Sequence, residues 1–202
     1  MTRLIQITDT HLSPTHGFFY GNVARTLALI NQSQPDMLVI TGDLSINGPE
    51  VEDDLRFSRW CLRLAHAPTR FLPGNHDVGE EPGAEHLGQG ITWERLAAYR
   101  RNFGTDFWVQ DVDAWRLIGI NTQLFGSGFD AEAAQWMLLE NALAGASGRP
   151  CGLFMHKPLF LDAPDEEPEP TKAVAPRARR ALIRLLEEHP VKFIASGHLH
   201  QY

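Results

Sequence analysis

The chain has 202 residues, 43% of them hydrophobic and 21% charged, a composition that suits one globular domain with a sizeable core. Lys and Arg total 18 against 25 Asp and Glu, for a formal charge of -7, so the clustered basic surface that holds a nucleic-acid polymer is not expected. Apolar runs stay well short of the ~20 residues of a membrane helix, Met1-Thr2-Arg3 leads into Leu4 without a signal-peptide core, and Cys61 and Cys151 sit among apolar neighbours as buried thiols do; the expectation is a soluble cytoplasmic protein with no membrane partner.

In chain order, Leu4-Ile5-Gln6-Ile7 reads as a first strand and runs into Thr8-Asp9-Thr10-His11. Val23, Leu27 and Ile30 then recur at a helical period. A second strand, Met37-Leu38-Val39-Ile40, ends in Thr41-Gly42-Asp43, and Val51, Leu55, Leu62 and Ala65 mark the next helix. Arg70-Phe71-Leu72 leads to Pro73-Gly74-Asn75-His76-Asp77. Residues 80–90, rich in Gly, Glu and Pro, read as a surface loop, and Trp93 and Tyr99 fall on a helix as core residues. Leu117-Ile118-Gly119-Ile120 is a fourth strand, and Asp130 is placed to cap a helix carrying Ala134, Met137, Leu138 and Leu143. Gly152-Leu153-Phe154-Met155 runs into His156, and residues 162–170 pack Pro with carboxylates as a solvated loop does. Pro176 opens a last helix with Leu182, Leu185 and Leu186 inside, and Lys192-Phe193-Ile194-Ala195 runs into Ser196-Gly197-His198-Leu199-His200. Most of the strands are apolar enough to be central ones covered on both faces.

The polar residues carry the functional signal. Almost every apolar strand ends in a cluster of Asp, Asn or His, and in a parallel sheet those ends share one crevice. Singly, each cluster reads as an ordinary turn or a core histidine; in series they read as ligands gathered on metal ions. Gly42, Gly74 and Gly197 each precede a candidate, where a residue without Cβ lets the backbone turn sharply. His66, His86 and His189 read as solvated, and His16 lies in a loop with Phe18, Phe19 and Tyr20 whose rings either stack on a substrate or cover the loop's own small core.

Asp9-x-His11, Gly42-Asp43, Gly74-Asn75-His76-Asp77, His156 and Gly197-His198-x-His200 together resemble the signature of the calcineurin-like metallophosphoesterases. The likeness covers essentially residues 1–202 as one catalytic domain, and the Gly-Asn-His-Asp and Gly-Asp-Leu forms are most similar to the class III cyclic-nucleotide phosphodiesterase branch. It implies a four-layer α/β/β/α sandwich with two metal ions. Asp9, His11 and His200 would bind one ion, Asn75, His156 and His198 the other, and Asp43 would bridge them. Carboxylate, amide and imidazole donors suit divalent or trivalent Fe, Mn or Zn. Two such ions about 3.5–4 Å apart generate a bridging hydroxide that attacks phosphorus, and the resemblance makes His76 the general acid for the leaving alkoxide. Asp77 reads as a structural residue of the turn.

The implied substrate is a small phosphodiester such as a 3',5'-cyclic nucleotide. A phosphomonoesterase, a nucleotide pyrophosphatase and a silent protein-binding scaffold are the alternatives. Two departures from the family pattern stand out. Met155-His156-Lys157-Pro158 replaces the usual His-His-Pro-Pro, with Lys157 expected to reach a phosphate or solvent. The sequence also ends at Tyr202, directly after the last motif, which reads either as a minimal version of the fold or as one that lacks C-terminal strands of the second sheet; in the second case an open sheet edge is a route to a homo-oligomer.

Overall fold

The computed structural model describes residues 2–83, 89–166 and 171–200. Strand β2 (Met37–Thr41) is buried at every position, and its alternation serves two cores at once. Leu38 and Ile40 pack against helices, while Met37 and Val39 pack against a second sheet. Such a strand has no solvated face, so its sequence shows no polar alternation.

β1 (Leu4–Ile7) and β3 (Thr69–Leu72) flank β2, all parallel, in the order β1-β2-β3. α1 (Tyr20–Ser33), α2 (Glu52–Leu62), the single turn α3 (Asn75–Val78) and α4 (Trp93–Phe103) accompany this sheet. The expected helical stripe of Val23, Leu27 and Ile30 is buried there with Leu55, Leu62, Leu96 and Tyr99. Each large apolar side chain so buried contributes about 1.5–3 kcal/mol.

The second sheet has the order β4-β5-β6-β7, formed by β4 (Trp108–Val112), β5 (Trp115–Gly119), β6 (Cys151–Phe154) and β7 (Val191–Ala195). β4 and β5 are antiparallel and the other pairs parallel. α5 (Asp130–Ala144) and α6 (Pro176–Glu187) supply Leu139, Leu143, Leu182 and Leu186 to the core on its outer face. Between the sheets lie Met37, Val39, Leu72, Trp108, Leu117 and Phe154, and the Trp108 indole N–H donates to the Phe71 carbonyl across the seam at 3.0 Å. Helices, sheet, sheet and helices make the four-layer sandwich.

Several local expectations change. β4 has no counterpart in the apolar runs, because only Trp108 is buried and Gln110 and Asp111 are polar, as suits an edge strand. β1 and β7 are also edges; all four β1 residues are only partly buried, and Lys192 and Ile194 of β7 are exposed. Asp130 is the first residue of α5 and makes no capping bond; Glu132 instead accepts from the Gly126 and Gly128 amides at 2.8 and 2.9 Å. Met137 points outward, 63% exposed. Tyr99 is core as expected, whereas Trp93 is half exposed. In the acidic loop, Glu166 accepts from the amides of Leu161, Asp162 and Ala163 and pairs with the buried Arg179, so that residue is not simply solvated. His66 is exposed, His189 is partly buried, and His86 lies outside the described residues.

Candidate metal centre

The loops leaving β1 and β2 continue the strand pairing beyond the sheet. Asp9 N–H donates to the Gly42 carbonyl at 3.1 Å, and His11 N–H to the Asp43 carbonyl at 2.9 Å. From the second sheet, Gly197 N–H donates to the His156 carbonyl at 2.9 Å, and His198 N–H reaches the Asp9 carboxylate at 3.0 Å. Gln6 ties the sheets together just behind, donating to Thr41 Oγ1 at 2.7 Å and to the Ser196 carbonyl at 3.1 Å.

This convergence is held in uncommon backbone. Asp9, His11, Asp43, His198 and His200 have φ of 56, 41, 49, 78 and 52°, the left-handed region that side chains with Cβ seldom adopt. Strain of this kind persists where the surroundings over-determine it and clusters at functional sites. Two glycines make room. A Cβ on Gly42 (φ 93°) would strike the His156 ring, and one on Gly74 would strike the Asp43 carboxylate.

Two side-chain clusters result, each with ligand atoms within 4.8 Å of one another: Asp9, His11, Asp43 and His200, and Asp43, His156 and His198. In the first, His11 Nε2 lies 3.0 Å from His200 Nε2 and 3.7 Å from Asp43 Oδ2, and His200 Nε2 is 3.4 Å from Asp9 Oδ1. In the second, His156 Nε2 is 3.2 Å from Asp43 Oδ1, 3.2 Å from Asn75 Oδ1 and 3.1 Å from His198 Nδ1. Asp43 therefore turns one carboxylate oxygen to each cluster. All seven residues expected as ligands, Asp9, His11, Asp43, Asn75, His156, His198 and His200, come together at one rim.

Backbone carbonyls fix which ring nitrogens face inward. His156 Nδ1–H donates to the Thr41 carbonyl at 2.8 Å and leaves Nε2 as the inward lone pair. His198 is turned the other way, with Nε2–H on the Thr171 carbonyl at 2.7 Å and Nδ1 inward. Burial opposes the imidazolium of His156, but the Asp43 carboxylate beside it outweighs burial and raises its pKa. Burial works against the Asp43 charge, and the imidazoles around it, His156 first, hold its pKa well below the carboxylate range. Burial, reinforced by the neighbouring His156, brings His198 down to about 4. If His156 held a cation it would do so deprotonated, with Nε2 offering its lone pair. Asp, Asn and His donors without a thiolate fit two hard or borderline metal ions, and both cysteines lie in the hydrophobic cores.

His76 stands beside the clusters. Its ring meets that of His11 edge-on at 4.8 Å, its backbone N–H donates to Asp43 Oδ1 at 3.0 Å, and its Nδ1–H donates to the Ile46 carbonyl at 2.7 Å. Asp77 is fully buried. Its carboxylate accepts from the amides of Leu44, Ser45 and Gly74 and from Ser45 Oγ, all at 2.8–3.0 Å, and so locks the Asp43 turn to the Asn75 turn. Burial and then the Asp43 charge push its pKa up, against the pull of those donors.

Lys157 is not solvated as one expectation had it. Its side chain is fully buried, with Nζ 3.0 Å from Glu80 Oε2 and 3.2 Å from Glu81 Oε1. Composition gave no hint of this, because residues 80–90 look like a solvated loop. The mouth beside the first cluster is a cavity of about 730 Å³ lined by Asp9, Thr10, Phe19, Asn22, Thr26 and His200, among others. Phe19 packs against the His11 ring at 5.8 Å, Phe18 is 93% exposed, and His16 is exposed with Nδ1 2.9 Å from Thr15 Oγ1.

Comparison with known proteins agrees with this geometry. The family model described as calcineurin-like phosphoesterase matches residues 2–202. The chain is 29% identical over 184 residues to the zebrafish (Danio rerio) serine/threonine-protein phosphatase CPPED1, covering 84% of this chain and 55% of that protein. It is 24% identical over 164 residues to the probable glycerophosphodiester phosphodiesterase GpdQ of Arcobacter nitrofigilis, covering 77% and 56%. It thus spans just over half the length of these relatives. Among solved structures, the purple acid phosphatase PPD1 of yellow lupin superposes with a TM-score of 0.65 at 16% identity, over 98% of this chain and 38% of that one. With the sandwich and the paired His/Asp clusters on one rim, the match over nearly the whole sequence shows that this chain belongs to the calcineurin-like phosphoesterase family.

Proposed function

We propose that the chain hydrolyses small phosphodiesters, 3',5'-cyclic nucleotides among them. In this reading Asp9, His11 and His200 hold one cation, Asn75, His156 and His198 hold a second, and Asp43 is shared. The observation that carries it is the Asp43 carboxylate, whose two oxygens face different clusters. Two cations bound there would polarise the phosphoryl oxygens and supply a nucleophile near neutral pH. The chain's own part is to hold the donors still. The Thr41 and Thr171 carbonyls set the tautomers of His156 and His198, and Asp77 keeps the Asp43 and Asn75 turns in register. With Nδ1–H held by the Ile46 carbonyl, His76 keeps Nε2 as the atom that, once protonated, gives its proton to the leaving alkoxide.

The preference for a diester is supported by the cavity. Among its described lining residues there is no Lys or Arg, and Asn22, Thr26 and Phe19 are neutral. A phosphomonoester dianion asks for one more compensating charge than a diester monoanion, and that wall offers none. The family motif forms around Gly42-Asp43-Leu44 and Gly74-Asn75-His76-Asp77 are the ground for including cyclic nucleotides. The test compares kcat/KM for bis(4-nitrophenyl) phosphate, 4-nitrophenyl phosphate and cyclic AMP after loading with Mn²⁺. Diester turnover above monoester turnover supports the reading. A preference for the monoester makes the protein a phosphatase, and inertness to all three favours a binding scaffold.

A further inference from the structure

Lys157 is a fully buried amine one residue beyond His156, and it faces two carboxylates that are themselves 8% and 4% exposed. Burying three ions costs desolvation that apolar side chains of the same volume would avoid, so such a cluster is weak evidence for stability and better evidence for registry. Its position shows what it could register. α3 carries Asn75 and His76, Gly79 caps its end, and Glu80 and Glu81 follow directly. The chain segment 75–81 therefore touches the segment 156–157 at two points, Asn75 on His156 at 3.2 Å and the two glutamates on Lys157 at 3.0 and 3.2 Å. The same neighbourhood is braced by Gln123, which donates to the Gly79 carbonyl at 3.1 Å, and by Lys157 N–H on Thr122 Oγ1 at 3.3 Å.

We propose that Lys157 is a positioning residue: with Glu80 and Glu81 it forms a buried ionic clip that sets the spacing between His156 and Asn75, and so the geometry of the second cation site. Without the amine, two adjacent buried carboxylates repel each other and draw the end of α3 away from the His156 turn. Charge neutralisation by Lys157 keeps that end in place, and the short stretch from Asn75 to Glu81 transmits the position to the site. Lys157 does not touch substrate, so its contribution appears in metal occupancy and kcat rather than in KM. The inference rests on the ligand assignment above.

The test is a calorimetric Mn²⁺ titration of the full chain and of two variants, Lys157→Met and the charge-free Lys157→Met/Glu80→Gln/Glu81→Gln. The parent takes up two ions. Each variant is expected to leave one step unchanged and to weaken the other by about 10–100-fold, the usual effect of removing a group behind a metal ligand. The single variant loses more than the triple, and KM for bis(4-nitrophenyl) phosphate stays put while kcat falls. The triple variant has no unpaired buried charge and carries the test if the single variant fails to fold. Parental affinity at both steps in either variant overturns the clip, and so does a rise in KM with occupancy unchanged, which would place Lys157 on the phosphate. A parent chain that takes up no ion overturns the metal centre itself, an outcome distinct from failure of the clip.

Discussion

The two halves of the centre share Asp43 and differ in nearly everything else. On the His156 side the imidazole is fully buried, its tautomer is set by the Thr41 carbonyl, and Lys157 is packed behind it. On the His200 side the terminal imidazole is 55% exposed, and the neighbouring cavity opens past Phe19. Burial strengthens the interaction of a carboxylate with its partners and makes an unpaired group costly. The closed half therefore has little tolerance for change, whereas water can stand in for a lost donor in the open half. A rigid half beside an accessible one is what an enzyme needs if one side orients the metals and the other admits substrate.

Removing the carboxylate that the halves share has the largest expected effect. Asp43→Asn is expected to lose both ions and reduce diester turnover to background, read by metal content and kcat together; loss of a single ion would show that Asp43 serves only one half. Next, His76→Ala is expected to retain both ions yet slow alkyl diesters by about 10²–10⁴-fold, with aryl diesters affected less because their leaving groups need no proton. Parental rates on alkyl diesters would remove His76 from the acid role. The asymmetry itself is sharpened by pairing His156→Ala with His200→Ala. The buried change is expected to weaken cation binding at least about tenfold more than the exposed one, and the reverse order in a Mn²⁺ titration would contradict it.

The smallest effect lies away from the centre, at the β4–β5 hairpin. Hydrogen bonds from Arg116 and Arg149 hold Asp111 well below the ordinary carboxylate range. A depressed folded-state pKa stabilises the protein above the unfolded value of about 3.9 and loses that contribution as pH falls toward the folded value. The Asp111 carboxylate is well exposed and its two ion pairs are screened, so Asp111→Asn is expected to lower Tm at pH 7 by about 1–3 °C. The gap between variant and parent should close in acid; a gap that persists there would assign the effect to packing.

How much of this was legible follows from what each residue interacts with. The seven donors could be read because they follow apolar strands whose ends must meet, and the glycines before them mark the close approaches. Their backbone partners could not be read. The carbonyls of Thr41, Ile46 and Thr171 orient three histidines, but every residue has a carbonyl and the sequence does not show which one faces a ring. β4 is hidden in the sequence because an edge strand needs only Trp108 buried, and the exposure of Met137 does not show because Ala, Met and Leu surround α5 with little to separate its faces. Lys157 misled most. A lysine beside a metal ligand suggests phosphate, and only the fold reveals that Glu80 and Glu81 reach it from a stretch that reads as solvated loop.

Anomalous diffraction from Mn²⁺-soaked crystals would show directly whether one carboxylate joins a pair of cations. Two peaks are expected, one among Asp9, His11, Asp43 and His200 and one among Asp43, Asn75, His156 and His198. A single peak, or none at either position, would contradict that pairing.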